Sequence, residues 1–172
     1  MMFFAAQAGA QIPFLSSGEL GTAVSKVIKD YPNYFSNIKG DTLLKTPQSI
    51  DFACTIVIPG AEAGTITMSG PAKDQVFSWK NTLFETEDFG KAKTKFRQYY
   101  TQLKKTTSTL GDYHVSLQGD FEEPSEDKKF TTVIFRVEHS PENYRNLVVD
   151  LSLQYEISGW EITVSVYEKT SF

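Results

Sequence analysis

Cysteine and histidine, which carry much of the nucleophilic and metal chemistry of proteins, are scarce in this chain. Its 172 residues include one cysteine, Cys54, and two histidines, His114 and His139. A single cysteine excludes an intrachain disulfide and a zinc site built from cysteine ligands. The sequence also lacks a Gly-x-Ser-x-Gly nucleophile elbow and a phosphate-binding glycine loop. We therefore predict no catalytic residue, no metal site and no bound cofactor.

A strong charge of either sign and a long apolar run are also missing. The chain has 17 basic and 21 acidic residues, a net charge of -4. This balance argues against a dedicated nucleic-acid binder, whose surface is usually basic. The apolar runs are shorter than the roughly 20 residues that a membrane-spanning helix needs, so we predict no transmembrane segment. The hydrophobic content of 40% indicates a globular chain with its own core.

The first fifteen residues, MMFFAAQAGAQIPFL, carry no charge. The triplets Ala6-Gln7-Ala8 and Ala8-Gly9-Ala10 have the small-x-small pattern that signal peptidases accept. The basic start and longer apolar stretch of a complete signal are missing. We predict that residues 1–10 are the remnant of a secretory signal that begins upstream of Met1, and that residues 11–172 form one periplasmic or extracellular domain. The alternative is a cytoplasmic protein with an apolar N-terminus.

Two segments have the apolar spacing of an amphipathic helix. The first lies near residues 17–31, where Ser16 and Glu19 have capping-box spacing and Pro32 follows. The second lies near residues 87–106, with acidic residues before its first turn and lysines in its last turn, as the helix dipole favours. The predicted buried residues are Leu20, Val24, Val27, Ile28 and Tyr31 in the first helix, and Phe89, Ala92, Phe96, Tyr99, Tyr100 and Leu103 in the second.

Short runs with period-two hydrophobicity, which is typical of half-buried strands, follow each helix. A loop is predicted through residues 37–47. The predicted strands are 50–58, 65–69 and 76–84, then 113–118, 130–138, 147–156 and 160–167. The order α-βββ-α-ββββ predicts an α+β fold: a single curved antiparallel sheet of about seven strands with two helices packed on one face. This order is similar in outline to TATA-box-binding-protein-like and β-lactamase-inhibitor-like domains. No motif residue links the chain to either, so we assign it to no family.

The last two predicted strands define a register. Ser158-Gly159 is a plausible two-residue hairpin turn. A slip of one residue would mix the apolar and polar faces, which favours this pairing. The register also sets Glu156 opposite Glu161, a like-charge pair that destabilises a sheet. The predicted apolar pairs are Ile157 with Trp160, Tyr155 with Ile162, Leu153 with Val164, and Leu151 with Val166.

Two surfaces are candidates for binding a partner. The second helix bears six basic residues and no acidic residue over positions 91–105. It could dock an acidic protein or an anionic membrane, although a solvated helix face has the same pattern. The sheet face away from the helices is rich in Ser, Thr and Gln, which suits a protein or glycan but also plain contact with water. The candidate residues are Lys91, Lys95, Arg97 and Lys105 on the helix, and Gln154, Glu156, Glu161 and Thr163 on the sheet.

Three further features have structural explanations that we favour over a site. Cys54 lies on the apolar face of a predicted strand, so we expect a buried thiol that packs as a small hydrophobe. His114 and His139 lie at strand ends, where surface positions are expected, and glutamates near His139 are a weak basis for a metal site. The acidic segment 120–127 lacks the ordered ligand spacing of a calcium loop, so we predict a solvated hairpin loop.

These features together predict an exported, non-catalytic binding domain. We expect it to bind through the open sheet face or through a cavity between sheet and helices. Its partner would be a protein, a glycan or a small apolar ligand, and an exposed sheet edge could also pair two copies of the chain. One alternative is a hydrolase-like enzyme with a cleft of carboxylates and a histidine. Another is a periplasmic chaperone or assembly factor that docks through its basic helix.

Overall fold

The computed structural model describes residues 18–169, which form an α+β fold with two α-helices and one open antiparallel sheet of nine strands. The predicted signal remnant and Ser16 of the predicted capping box lie outside the described residues. The elements are α1 (Glu19–Asp30), β1 (Lys39–Lys45), β2 (Ser49–Cys54), β3 (Thr65–Ser69), β4 (Val76–Thr86), α2 (Phe89–Lys104), β5 (Thr107–Leu110), β6 (Tyr113–Gln118), β7 (Phe130–Glu138), β8 (Leu147–Glu156) and β9 (Gly159–Glu168).

The strands follow one another across the sheet in the order β1-β2-β3-β4-β9-β8-β7-β6-β5. Every neighbouring pair is antiparallel. Each helix is followed by a set of adjacent strands, β1 to β4 after α1 and β5 to β9 after α2. The two sets meet where β4 pairs with β9. The repeated element order of the sequence therefore builds one continuous sheet.

The sheet has nine strands instead of the predicted seven, and the two missed strands, β1 and β5, are its edges. β1 has the sequence Lys-Gly-Asp-Thr-Leu-Leu-Lys, and its last five residues are exposed. It occupies much of the segment that was predicted to be a loop. β5 has only four residues, of which Ser108 and Leu110 are buried. An edge strand buries little, so the apolar alternation that marks a central strand is weak in both.

The register of β8 and β9 differs from the predicted one by two residues. Gly159 lies within the ladder opposite Glu156, and Ile157 and Ser158 form the turn. A Cβ at position 159 would be 2.7 Å from the Thr86 carbonyl oxygen of β4, so only glycine fits there without displacement. Because the shift is two residues, each side chain keeps its predicted face. The observed pairs are Tyr155 with Trp160, Leu153 with Ile162, Leu151 with Val164, and Val149 with Val166.

The predicted opposition of Glu156 and Glu161 is wrong for the same reason. Glu161 lies opposite Gln154 on β8 and opposite Glu85 on β4. Lys80 offsets this second like-charge pair, since its Nζ is 3.6 Å from Glu161 Oε1. Ile157, predicted to pair with Trp160, is instead fully exposed at the turn.

The helices bury their predicted apolar residues against the inward face of the sheet. Leu20, Val24, Val27 and Ile28 of α1 and Ala92, Phe96, Tyr99 and Leu103 of α2 belong to one continuous core. Trp79, Phe135 and Val149 contribute to this core from the sheet. The predicted Tyr31, Phe89 and Tyr100 are partly buried at its margin. The helices are thereby fixed relative to the sheet and to each other.

Candidate functional site

A groove of about 440 Å³ lies where α1 passes the C-terminal end of α2. Four of the α1 residues that line it lie on one helix face, because they recur at i, i+3, i+4 and i+7. The α2 residues that line it come from its last turn and from the chain that leads into β5. The residues that matter most are Thr22, Ser25, Lys26 and Lys29 from α1, and Gln102 and Lys105 from the end of α2.

Gly21 lets the two helices approach each other beside this groove. A Cβ at position 21 would be 2.4 Å from Thr106 Oγ1, a separation at which one group must move. The Thr106 hydroxyl donates a hydrogen bond of 2.9 Å to the Gln102 carbonyl oxygen, and Thr106 is buried. Glycine weakens a helix interior by about 1 kcal/mol relative to alanine. Here that cost is offset by a close contact that sets the position of α1.

The charged side chains that line the groove are all basic among the described residues. Lys26, Lys29 and Lys105 line it and are exposed. Among the described residues that line the groove there is no Asp or Glu. Within residues 18–169, none of these three lysines forms an ion pair with a carboxylate. Their charges therefore add in the groove, although the chain as a whole is acidic.

The groove continues into a second section of about 340 Å³ toward β5 and β6. Ser25, Lys29 and Thr107 line both sections, so the two form one elongated path. Ser25 Oγ donates a hydrogen bond of 2.8 Å to Ser108 Oγ, which ties α1 to β5. His114 lines the far section, where its Nδ1 is 3.4 Å from Thr109 Oγ1. Small hydroxyl side chains thus line the path along its length.

Gln102 lines the groove, but its side-chain oxygen is not exposed at the groove surface. Its side-chain oxygen is buried and accepts no hydrogen bond from any described residue. A buried acceptor without a donor costs about 1–3 kcal/mol.

A more open depression of about 720 Å³ lies on the other side of α1. It shares Thr22 and Lys26 with the groove, but it includes Glu19 and the exposed Val57. The acidic side chain and the apolar surface give it no consistent charge. It is therefore a weaker candidate for a charged ligand than the groove.

The basic residues predicted to form one surface on α2 lie in three different environments. Lys105 joins Lys26 and Lys29 in the groove. Arg97 donates two hydrogen bonds to the carboxylate of Glu123, which also lies 2.7 Å from Lys93 Nζ. These contacts, those of Arg97 first, lower the pKa of Glu123. The acidic segment 120–127 therefore offsets part of the basic charge of α2.

The remaining helix candidates lie elsewhere on α2. The Lys95 ammonium is 5.7 Å from the centre of the Phe84 ring. Lys91 is exposed near the start of the helix, where its backbone N–H donates to the capping carboxylate of Asp88. The structure thus brings one of the four helix candidates, Lys105, to the groove.

The candidate binding residues on the sheet are hydrogen-bonded, ion-paired or buried. Gln154 Nε2 donates a hydrogen bond of 2.6 Å to Glu156 Oε1. Glu161 faces Lys80, and Thr163 is only 5% exposed. The open face therefore presents fewer free hydrogen-bonding groups than its sequence indicates.

Asp150 is the centre of a hydroxyl network on this face. Its carboxylate accepts hydrogen bonds from Thr132, Ser152 and Tyr167. Burial, followed by the charge and hydrogen bond of Asp150, raises the pKa of Tyr167. The sequence predicts a hydroxyl-rich face here, but it does not reveal Asp150 as a common acceptor, since no local pattern marks a cross-strand network.

The lone cysteine and the second histidine are separate from the groove. Cys54 is partly buried against the core, and burial raises the pKa of its thiol. His139 is exposed at a left-handed backbone position after β7. Residues 18–169 contain no group of three or more His, Cys, Asp or Glu side chains that could hold a metal ion. Neither described helix is long and apolar enough to cross a membrane.

Comparison with known proteins gave no match to a protein family, to a curated protein or to a solved structure. The groove residues Lys26 and Lys29 were also missed by the sequence analysis. On α1 they belong to an ordinary polar helix face, and only the neighbouring end of α2 turns that face into a groove. The central Gly21 was the available signal, because a glycine inside a helix often marks close packing.

Proposed function

We propose that this chain is an exported, non-catalytic binding domain that holds an anionic ligand in the groove between α1 and the end of α2. The observation that carries the proposal is the convergence of Lys26, Lys29 and Lys105 on a groove whose described lining has no acidic residue. Exposed lysines act as strongly hydrated point charges that attract anions. The groove's volume is within the range of typical ligand sites.

Binding is favoured over catalysis by the absence of an activated group near the lysines. A general base or nucleophile is usually held by a second polar group that orients it. Among the described residues, neither His114 nor His139 hydrogen-bonds to a carboxylate, and the side-chain hydrogen bond of His114 is to the Thr109 hydroxyl, at 3.4 Å. The groove therefore offers charge and hydrogen bonds without an evident proton-transfer pair.

Export is supported by the uncharged N-terminal sequence with its two small-x-small triplets. The expected outcome is a mature protein that begins near residue 9 or 11 in the extracellular or periplasmic fraction. Sequencing of the N-terminus from fractionated cells tests this. An intact N-terminus in the cytoplasmic fraction would contradict it.

Titration calorimetry with linear polyphosphate tests the groove as an anion site. We expect binding that weakens as ionic strength rises, because exposed charges are screened. Lys29→Gln should weaken binding by about two- to fivefold, the range for one exposed ion pair. Lys73→Gln is the matched control, since Lys73 is also exposed but lies in the loop between β3 and β4. Equal losses in both variants, or no binding at low salt, would contradict the proposal.

A further inference from the structure

We propose that His114 makes the groove respond to pH, so that the chain holds its anionic ligand more tightly in mildly acidic surroundings than in neutral ones. This inference rests on the proposed function and adds the regulation of the same groove. It is carried by the position of His114, which lines the far section of the groove together with Lys29. Histidine is the side chain whose charge changes between about pH 5 and 8, and His114 is the one histidine among the described residues that line either section.

His114 is exposed in β6, where it lies opposite Thr109 of β5. Its Nδ1 is 3.4 Å from the Thr109 hydroxyl, and a hydroxyl can either donate or accept a hydrogen bond. The contact therefore suits the neutral ring and the charged ring alike. Residues 18–169 provide no other hydrogen bond to the ring, so Nε2 is available to an oxygen of the ligand.

The charges around His114 do not include a carboxylate that pairs with it. The titratable groups on the neighbouring elements are Lys29 of α1, Asp112 before β6, Tyr113 in β6, Glu138 of β7 and His139 after β7. The strand β5 contributes hydroxyl groups but no titratable side chain. Within the described part of the chain, His114 forms no ion pair, and the lining of the far section has no Asp or Glu. A proton on His114 therefore adds to the charge of Lys29.

Proton binding and anion binding in the groove should therefore favour each other. A bound anion attracts a proton to a nearby imidazole, because an opposite charge favours the charged form of the ring. By linkage, the protonated imidazole raises the affinity for the anion by the same factor. For one exposed charge this factor is about two- to fivefold.

Titration calorimetry with poly(vinyl sulfonate) on the full chain tests the coupling, because the sulfonates of this probe stay ionised throughout the range in which histidine titrates. The unaltered chain should bind the probe about two- to fivefold more tightly at about pH 5.5 than at about pH 7.5. His114→Gln should remove this difference. His114→Lys should bind tightly at both pH values, because its charge is permanent. His139→Gln is the matched control and should keep the difference, since His139 lines neither section of the groove.

Proton uptake provides a second measurement. Titrations at about pH 6.5 in buffers of different ionisation enthalpy report how many protons the complex takes up. The unaltered chain and His139→Gln should take up a fraction of one proton per chain, whereas His114→Gln should take up none. Thermal unfolding of His114→Gln and His114→Lys should show no loss of stability, because the side chain is exposed.

The outcomes separate this inference from the proposed function. Binding that is equally tight at both pH values, or a His114→Gln variant that keeps the pH difference, would overturn the role of His114. A His139→Gln variant that loses the difference as fully as His114→Gln would overturn it too. Each of these results would leave the groove as an anion site. Failure of the probe to bind at either pH at low salt would overturn both.

Discussion

Gly21→Ala reverses the usual effect of alanine in a helix. In an exposed helix interior, replacement of glycine by alanine stabilises by about 1 kcal/mol. At position 21 the new Cβ would lie 2.4 Å from Thr106 Oγ1 and 3.5 Å from Thr106 Cβ. The close contact is with a buried hydroxyl whose hydrogen bond to Gln102 would be lost if it rotated away. The helix gain and the packing cost therefore oppose each other.

The packing cost is the larger of the two. Insertion of a methyl group into a filled space costs about 1–3 kcal/mol, and loss of the Thr106 hydrogen bond adds about 1 kcal/mol. After the helix gain is subtracted, Gly21→Ala should lower the free energy of unfolding by about 1–3 kcal/mol. The change in the free energy of unfolding should therefore have the opposite sign to that of a Gly→Ala substitution at an exposed helix position.

Urea unfolding followed by circular dichroism measures this difference. Gly90→Ala is the matched control, because Gly90 is exposed near the start of α2 and a Cβ there would be 3.2 Å from the Asp88 side chain, which can adjust. Gly90→Ala should be neutral or stabilising. The double variant Gly21→Ala/Thr106→Ala should recover part of the loss, which a double-mutant cycle quantifies. A stabilising Gly21→Ala would refute the close contact between α1 and the end of α2.

Three further perturbations test other parts of the structure. Asp30 is buried and accepts hydrogen bonds from Asn33 and Asn37. Asp30→Ala should therefore lower the free energy of unfolding in urea by about 1–3 kcal/mol. A change near zero would contradict these hydrogen bonds. Burial raises the pKa of Tyr99 to about 12, so the unfolded chain loses this proton first and stability falls as the pH rises from about 10 to 12. Tyr99→Phe should show a smaller alkaline decline in urea unfolding across that range, and an unchanged decline would count against the buried phenol. Hydrogen bonds from Arg97 lower the pKa of Glu123, so carboxyl titration by NMR should show this pKa rise in Arg97→Gln and stay unchanged in Lys73→Gln.

The central part of the fold could be predicted because its side chains follow simple periods. The apolar positions of α1, α2, β8 and β9 repeat with the helix or strand period, and burial follows them. The edge strands β1 and β5 could not be predicted in this way, since edge positions impose little hydrophobic requirement. The hairpin register failed by two residues because period two fixes the face of a strand but not its pairing partner. The contact of Gly159 with Thr86, which restricts position 159 to glycine, involves a strand more than seventy positions earlier in the chain.

The candidate site was less accessible to sequence reasoning than the fold. Lys105 was identified because α2 has a run of basic residues, but Lys26 and Lys29 lie on a helix face with no unusual pattern. The groove exists because Gly21 allows α1 to lie against Thr106, about eighty-five positions later in the sequence. Conversely, Arg97 was predicted to be a partner-binding residue, but it forms an ion pair with Glu123. Long-range neighbours, which no local pattern encodes, decide which charges are free.

Chemical-shift mapping with linear polyphosphate tests the binding site most directly. In a titration of the isotope-labelled protein, we expect the largest amide shifts at Thr22, Ser25, Lys105 and Thr107, with the amides around Glu161 on the open sheet face unchanged. The same titration of Lys29→Gln should need about two- to fivefold more ligand for equal shifts. Shifts confined to the open sheet face, or spread evenly over exposed lysines, would contradict a binding site between the two helices.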